Sequence, residues 1–205
     1  GMGGSAKTTA LKDIPTPVGL SEIVMNDDER ISTALGELDR VLGGGIIHGS
    51  LTLVGGDPGI GKSTLLLQVC RNLANSGHKV LYISGEESLK QIKLRANRIG
   101  DFKDSMLLLC ETDLSVVEEA IKRANPEVVI IDSIQTIYSE NIDSSAGSVS
   151  QVRECAASLL RFAKETNTPT LLIGHITKDG TIAGPKILEH IVDVVLQFEG
   201  DTRHS

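Results

Sequence analysis

Two rhythms of apolar residues alternate along the chain. Short, nearly unbroken apolar runs occur at 51–55 (LTLVG), 80–84 (VLYIS), 106–110 (MLLLC), 127–132 (EVVIID) and 170–174 (TLLIG). Between them, apolar residues recur at helical spacing over about 62–75, 87–99, 114–125 and 148–166. Runs of that length predict strands, and the 3.6-residue repeat predicts helices. Strands that are apolar on both faces and alternate with helices predict a parallel sheet covered on each side, hence a doubly wound α/β domain. A last alternation at 191–199 (IVDVVLQFE) predicts a further strand near the sheet edge. Residues 32–42 (STALGELDRVL) carry a short helical pattern that Gly43, Gly44 and Gly45 stop. Ahead of it, 14–29 (IPTPVGLSEIVMNDDE) is polar and proline-bearing, so residues 1–30 read as a lead-in arm and 31–205 as the domain. Gly1 before Met2 reads as a cloning remnant.

Composition narrows the functions this domain can serve. Hydrophobic residues form 40% of the 205, enough for a sizeable core, but aromatics only 2%, with no Trp. The core is therefore aliphatic, and a surface that stacks many bases on rings is excluded. A net charge of −7 excludes a broad basic face, so any nucleic-acid contact must come from a local basic loop or a ring of subunits. Cys70, Cys110 and Cys155 are too far apart for a zinc knuckle and too few for a disulfide framework, which predicts free thiols in a reducing cytoplasm. No apolar run approaches a membrane span and no signal peptide is read, so no membrane partner is expected.

The most specific chemistry lies after the first strand. Gly56-Asp57-Pro58-Gly59-Ile60-Gly61-Lys62-Ser63 satisfies the phosphate-binding pattern G-x-x-x-x-G-K-[ST], between an apolar strand and a helix. Glycines let backbone N–H groups turn around phosphate oxygens, and the helix start adds partial positive charge. Lys62 is then expected to reach the β and γ phosphates and Ser63 to offer its hydroxyl to Mg²⁺, and Thr64 stands where a hydroxyl commonly meets the α phosphate. The run VVIIDS (128–133) delivers Asp132 to the same sheet edge as the Walker B carboxylate of the Mg²⁺ shell, the alternative being a turn or cap residue.

The residue after Asp132 is Ser133, so a catalytic base has to come from elsewhere. Glu86 and Glu87 follow the strand 80–84 at the same edge. Glu86 is the expected base for the attacking water, with Glu87 capping the helix 87–99 or sharing the role. His175, after the strand 170–174, can touch the γ phosphate or that water, or simply satisfy a strand end. The next segment carries Lys178 and Lys186 among glycines and a proline, suited to a nucleic-acid backbone or to solvent alone.

Five blocks, ELDRVLGGGIIHGSL (37–51), GGDPGIGKSTLLLQ (55–68), VLYISGEES (80–88), IIDSIQT (130–136) and GHITKDGTIAGPKILEHIVDVVLQFEGD (174–201), together resemble the RecA-like ATPases, most closely the bacterial RadA (Sms) DNA-repair family. The resemblance covers roughly 20–203. It implies a RecA-like core with ATP at a subunit interface, in a hexameric motor that drives branch migration on single-stranded DNA, with the recombinase RecA as a candidate partner. Residue by residue it implies Lys62 and Ser63 as the P-loop pair, Asp132 as the Walker B acid, Glu86 as the catalytic glutamate, His175 as the sensor and 176–186 as the DNA-facing loop. The family's four-cysteine zinc finger, Lys-Asn-Arg-Phe-Gly motif and Lon-like domain have no counterpart in these 205 residues. The expectation is an excised ATPase core that is monomeric or weakly oligomeric and of low activity. Alternatives are another RecA-fold ATPase, of replicative-helicase or clock type, a small-molecule kinase sharing the P-loop, and a nucleotide-gated module that does not turn over.

Overall fold

A computed structural model describes residues 14–24, 30–56, 61–175 and 185–198. Six strands form one sheet: β3 (Leu51–Gly56), β4 (Val80–Ser84), β5 (Met106–Cys110), β6 (Val128–Asp132), β7 (Thr170–Ile173) and β8 (Val194–Phe198). Their spatial order is β5-β4-β6-β7-β3-β8, and every pairing is parallel. The expected strand at 191–199 is β8, which does lie at an edge. A two-residue antiparallel ribbon, β1 (Arg30–Ile31) with β2 (Ile46–Ile47), precedes the sheet. Two-residue strands show no period, so the hydrophobic pattern gave no sign of it.

Side chains that alternate along each strand divide the core into two layers. Leu53, Leu81, Ile83, Val129, Ile131 and Leu172 face α4 (Leu114–Ala124) and α5 (Val149–Thr166), packing on Val117, Ile121, Cys155 and Leu159. Val54, Tyr82, Ile130, Leu171 and Ile173 face α2 (Lys62–Asn75) and α3 (Leu89–Ile99), packing on Leu66, Leu67, Cys70, Leu73 and Ile92. Both layers are almost wholly aliphatic, with Phe162 and Tyr82 as the large rings within them. The edge strand β5 departs from the expectation of double-sided burial, since its five residues are only half-buried.

Two helix starts differ from the expected positions. The segment 32–42 becomes helical only at α1 (Gly36–Val41), because Asp39 accepts from Ser32 Oγ, Thr33 N and Thr33 Oγ1 and ties 32–33 into a turn. Helix α3 begins at Leu89 rather than at 87, capped by Ser88, whose Oγ accepts from Gln91 N while Gln91 Oε1 accepts from Ser88 N. Glu87 is therefore not the cap. In the described part of the arm, Leu20–Glu22 forms one helical turn and residues 14–24 are exposed. Among the described residues, no helix is long and apolar enough to cross a membrane.

Candidate active site at the sheet rim

Register decides which residues meet. Ser84 pairs with Asp132, and Asp132 with Ile173, so β4, β6 and β7 finish level with one another. Val54 of β3 pairs with Ile173, which brings the strand leading into the P-loop out at the same rim. Ligands of open parallel sheets bind outside these carboxyl ends. Glu86, Asp132, Ser133 and His175 thus converge because their strands end together, although up to 89 residues separate them in sequence (175 − 86 = 89).

The phosphate-binding turn leaves β3 at Gly56 and enters α2 at Gly61. Gly56 has φ +152°, and a Cβ there would stand 2.5 Å from the carbonyl oxygen of Phe198 in β8, so only glycine fits beside that strand. Gly61 has φ +82° and supplies no side-chain cap, leaving the first N–H groups of α2 without a capping side chain. Lys62 is buried, and its Nζ donates to Gly56 O at 2.6 Å and more distantly to Gly174 O at 3.5 Å. The ammonium is thereby held between the end of β3 and the residue that follows β7. Ser63 is half-buried and Thr64 exposed. The expected ligands Asp57, Pro58, Gly59 and Ile60 lie outside the described residues, as does Lys178. Lys186 is described and exposed, in the helical turn Pro185–Leu188.

Asp132 is the hub. It is 4% exposed, and its Oδ2 accepts from Ser63 Oγ at 2.9 Å and from Tyr82 Oη at 3.0 Å. Its Oδ1 lies 3.2 Å from His175 Nε2. Burial pushes this carboxyl up, but the hydrogen bonds from His175 and Ser63, the charge of His175 and the Tyr82 hydroxyl outweigh burial and hold it below the ordinary carboxylate range. Burial, and then the Asp132 charge, push the Tyr82 phenol in the opposite direction, so it remains a donor.

Glu86 and Glu87 have separate fates. Ser84 Oγ accepts from both of their N–H groups and shapes the turn after β4. A Cβ on Gly85 would collide with the Thr136 side chain, and Gly85 N donates to Asp132 O, so the turn closes directly over β6. That brings Glu86 back toward the hub, its Oε1 accepting from Ser133 Oγ at 3.4 Å and its Oε2 standing 3.9 Å from His175 Nε2. Glu87 points away and receives both Nε and Nη2 of Arg95, at 2.9 and 2.6 Å. A carboxylate held in a bidentate guanidinium pair has both oxygens engaged and turned away from the rim.

Glu86, Asp132 and His175 each offer a ligand atom, all within 4.8 Å of one another. Their chemistry suits Mg²⁺ unequally. Ser63 Oγ and the Asp132 carboxylate are hard oxygen donors already in contact, the set this ion prefers, whereas the His175 nitrogen is a weaker match. Two members of the site escaped the sequence analysis. Tyr82 stood within an apolar strand and read as core, although a buried tyrosine has a hydroxyl that needs a partner. Gln135, buried after β6, had no pattern to mark it.

The family model of the AAA domain matches residues 15–181. The chain belongs to the AAA domain family. The chain is also similar to proteins named DNA repair protein RadA, among them those of three bacteria. Identity is 52% over 201 residues with that of Bacillus subtilis, covering 98% of this chain and 44% of the relative. With that of Halalkalibacterium halodurans it is 55% over 192 residues, covering 94% and 42%. With that of Listeria monocytogenes it is 54% over 190 residues, covering 93% and 41%. The chain therefore spans less than half the length of these relatives. The AAA domain match takes in the whole rim described above, from Gly56 to His175.

Proposed function

We propose that this AAA domain is the ATP-hydrolysing core of a RadA-type DNA-repair motor, acting in homologous recombination on single-stranded DNA. The observation that carries the reading is the buried Asp132 carboxylate, which gathers Ser63 from the P-loop helix, Tyr82 from β4 and His175 from just beyond β7, with Glu86 beside them. The N–H groups at the start of α2 and the Lys62 ammonium bind the phosphates, which gives Lys62 a better acceptor than the backbone carbonyls it now holds. Ser63 and Asp132 would hold Mg²⁺, which when bound neutralises phosphate charge. Glu86 accepts the proton of the attacking water, or orients that water, while Arg95 keeps Glu87 out of the reaction. His175 hydrogen-bonds to Asp132 with Glu86 Oε2 3.9 Å from the same nitrogen, and reports the state of the γ phosphate to the segment that follows it.

DNA binding on this reading falls to 176–186, with Lys178 and Lys186 contacting the backbone, multiplied around a homo-oligomeric ring that is hexameric in the whole protein. Residues 31–205 alone are a monomer or weak oligomer of low activity. RecA is the partner recombinase, and the setting is the cytoplasm. The test is ATP hydrolysis with and without Mg²⁺ and single-stranded DNA, by this chain and by a chain extended to the relatives' length. Magnesium-dependent hydrolysis that DNA raises in the longer chain is the expected result. Transfer of phosphate to a small-molecule acceptor instead of water would replace this reading with the kinase.

A further inference from the structure

Gln135 is a buried amide at the rim to which the reading above gives no task. It stands in the helical turn Ile134–Thr136 just after β6, and it is 8% exposed. Its Nε2 donates to His175 O at 2.8 Å, and its Oε1 accepts from His175 N at 3.3 Å. One side chain thus holds both backbone groups of one residue. The ladder between β6 and β7 ends at Asp132 and Ile173, and Gly174 N donates instead to Val54 O of β3. Beyond that point the Gln135 amide takes the place of the missing strand neighbour.

The turn carrying Gln135 is itself fixed. Thr136 N and Thr136 Oγ1 both donate to Ser133 O, at 3.1 and 2.7 Å, and Ile134 and Ile137 are fully buried. A rigid donor–acceptor pair on a rigid turn sets where the His175 Cα stands, and so where its imidazole points: at Asp132 Oδ1, 3.2 Å away, and Glu86 Oε2, 3.9 Å away.

We propose that Gln135 is a positioning residue of the nucleotide site, a two-point clamp that keeps the His175 imidazole between the Asp132 and Glu86 carboxylates. The role in turnover rests on the hydrolytic reading of the rim, whereas the clamp itself does not. Gln135→Ala removes both bonds. Gln135→Glu keeps an acceptor for His175 N but turns a carboxylate oxygen on the His175 carbonyl.

Two measurements test the clamp. The first is kcat and KM for ATP in Gln135→Ala, Gln135→Glu, His175→Ala and the Gln135→Ala/His175→Ala double variant. We expect Gln135→Ala to lower kcat about 10- to 100-fold, the order seen when a catalytic group is displaced by about an ångström, with KM nearly constant. In the His175→Ala background the same substitution should cost nothing further, because its effect runs through that imidazole. Losses that simply add, or wild-type kcat in both single Gln135 variants, would overturn the role in turnover. The second needs no hydrolysis: the imidazole C–H resonances of the five histidines, in the free protein and in both Gln135 variants. His175 alone should shift, and an unmoved His175 resonance would overturn the clamp. Should Gln135→Ala fail to fold, Gln135→Glu carries both measurements. Full turnover by His175→Ala would count against the proposed function of the rim, and the resonances would then decide the clamp on their own.

Discussion

Helices α3, α4 and α5 begin on a side chain; α2 begins on a glycine. Ser88, Asp113 and Ser148 each accept an N–H two or three residues on, from Gln91, Ser115 and Gln151, and so satisfy part of their helix's free end. Gly61 supplies nothing, and its φ of +82° would strain any other residue. Of these four helices, three thus have starts closed by a side chain and α2 has none, a lack it shares with the short α1 behind Leu35. Closed ends contribute to stability, whereas the α2 end forgoes that contribution and leaves N–H groups of the kind that suit an anion. The difference lies in the residue before the helix rather than in the helix, since all four pack aliphatic faces against the sheet.

This contrast can be broken at either end. The largest effect is expected at Lys62, the cation of the α2 end. Lys62→Ala should abolish tight ATP binding or turnover while the far-ultraviolet circular dichroism is retained, and wild-type turnover in that variant would end the assignment. Glu86→Gln comes next. It should still bind ATP but hydrolyse it about 10²–10⁴-fold more slowly, as expected for loss of a general base, as measured by phosphate release. Glu87→Gln should leave the chemical step nearly intact because its carboxylate belongs to Arg95, and the reverse ranking of the two variants would exchange their roles.

At the closed ends the effects are on stability and are smaller. Ser148→Ala should cost about 1 kcal/mol in denaturant unfolding and leave nucleotide affinity unchanged. A loss of affinity there would mean that the two kinds of helix end are not independent. The smallest effect is the pH dependence of Asp113. The hydrogen bond from Ser115 holds this carboxyl below its ordinary value in the folded chain. A lowered folded-state value means that the stabilisation is fully present above the unfolded carboxylate pKa of about 4 and fades as pH falls through the folded value. The stability gap between wild type and Asp113→Asn should therefore be widest at neutral pH and narrow on acidification, as followed by urea titrations at several pH values. A gap that widens toward acid would show the cap working by another route.

The open end was far more legible in the sequence than the closed ones. Gly56, Gly61, Lys62 and Ser63 sit at the fixed spacing of the pattern G-x-x-x-x-G-K-[ST], and Asp132 announces itself as a charge ending a β-branched run. The strands were legible for a related reason, since burial between two helix layers makes them apolar throughout. Caps are harder to see because Ser88, Asp113 and Ser148 are residue types that also populate ordinary turns, which leaves Glu87 open in the sequence as a cap or a second base. Tyr82 and Gln135 were hidden for a third reason. Their roles depend on register across β4, β6 and β7, and register between strands distant in the chain leaves no trace in local pattern.

The Tyr82–Asp132 hydrogen bond also makes the protein its own optical reporter. With no tryptophan and two tyrosines in the chain, emission excited at wavelengths too long for phenylalanine to absorb comes from Tyr82 and Tyr138. Tyr82 is buried with its hydroxyl on the carboxylate that anchors the site, while Tyr138 lies on the turn after β6, its backbone N–H donating to Thr112 O. Anything that draws Asp132 away from Tyr82 changes the surroundings of one of the only two fluorophores. Half of the emitting residues therefore watch the rim, against a background free of indole, with no label attached.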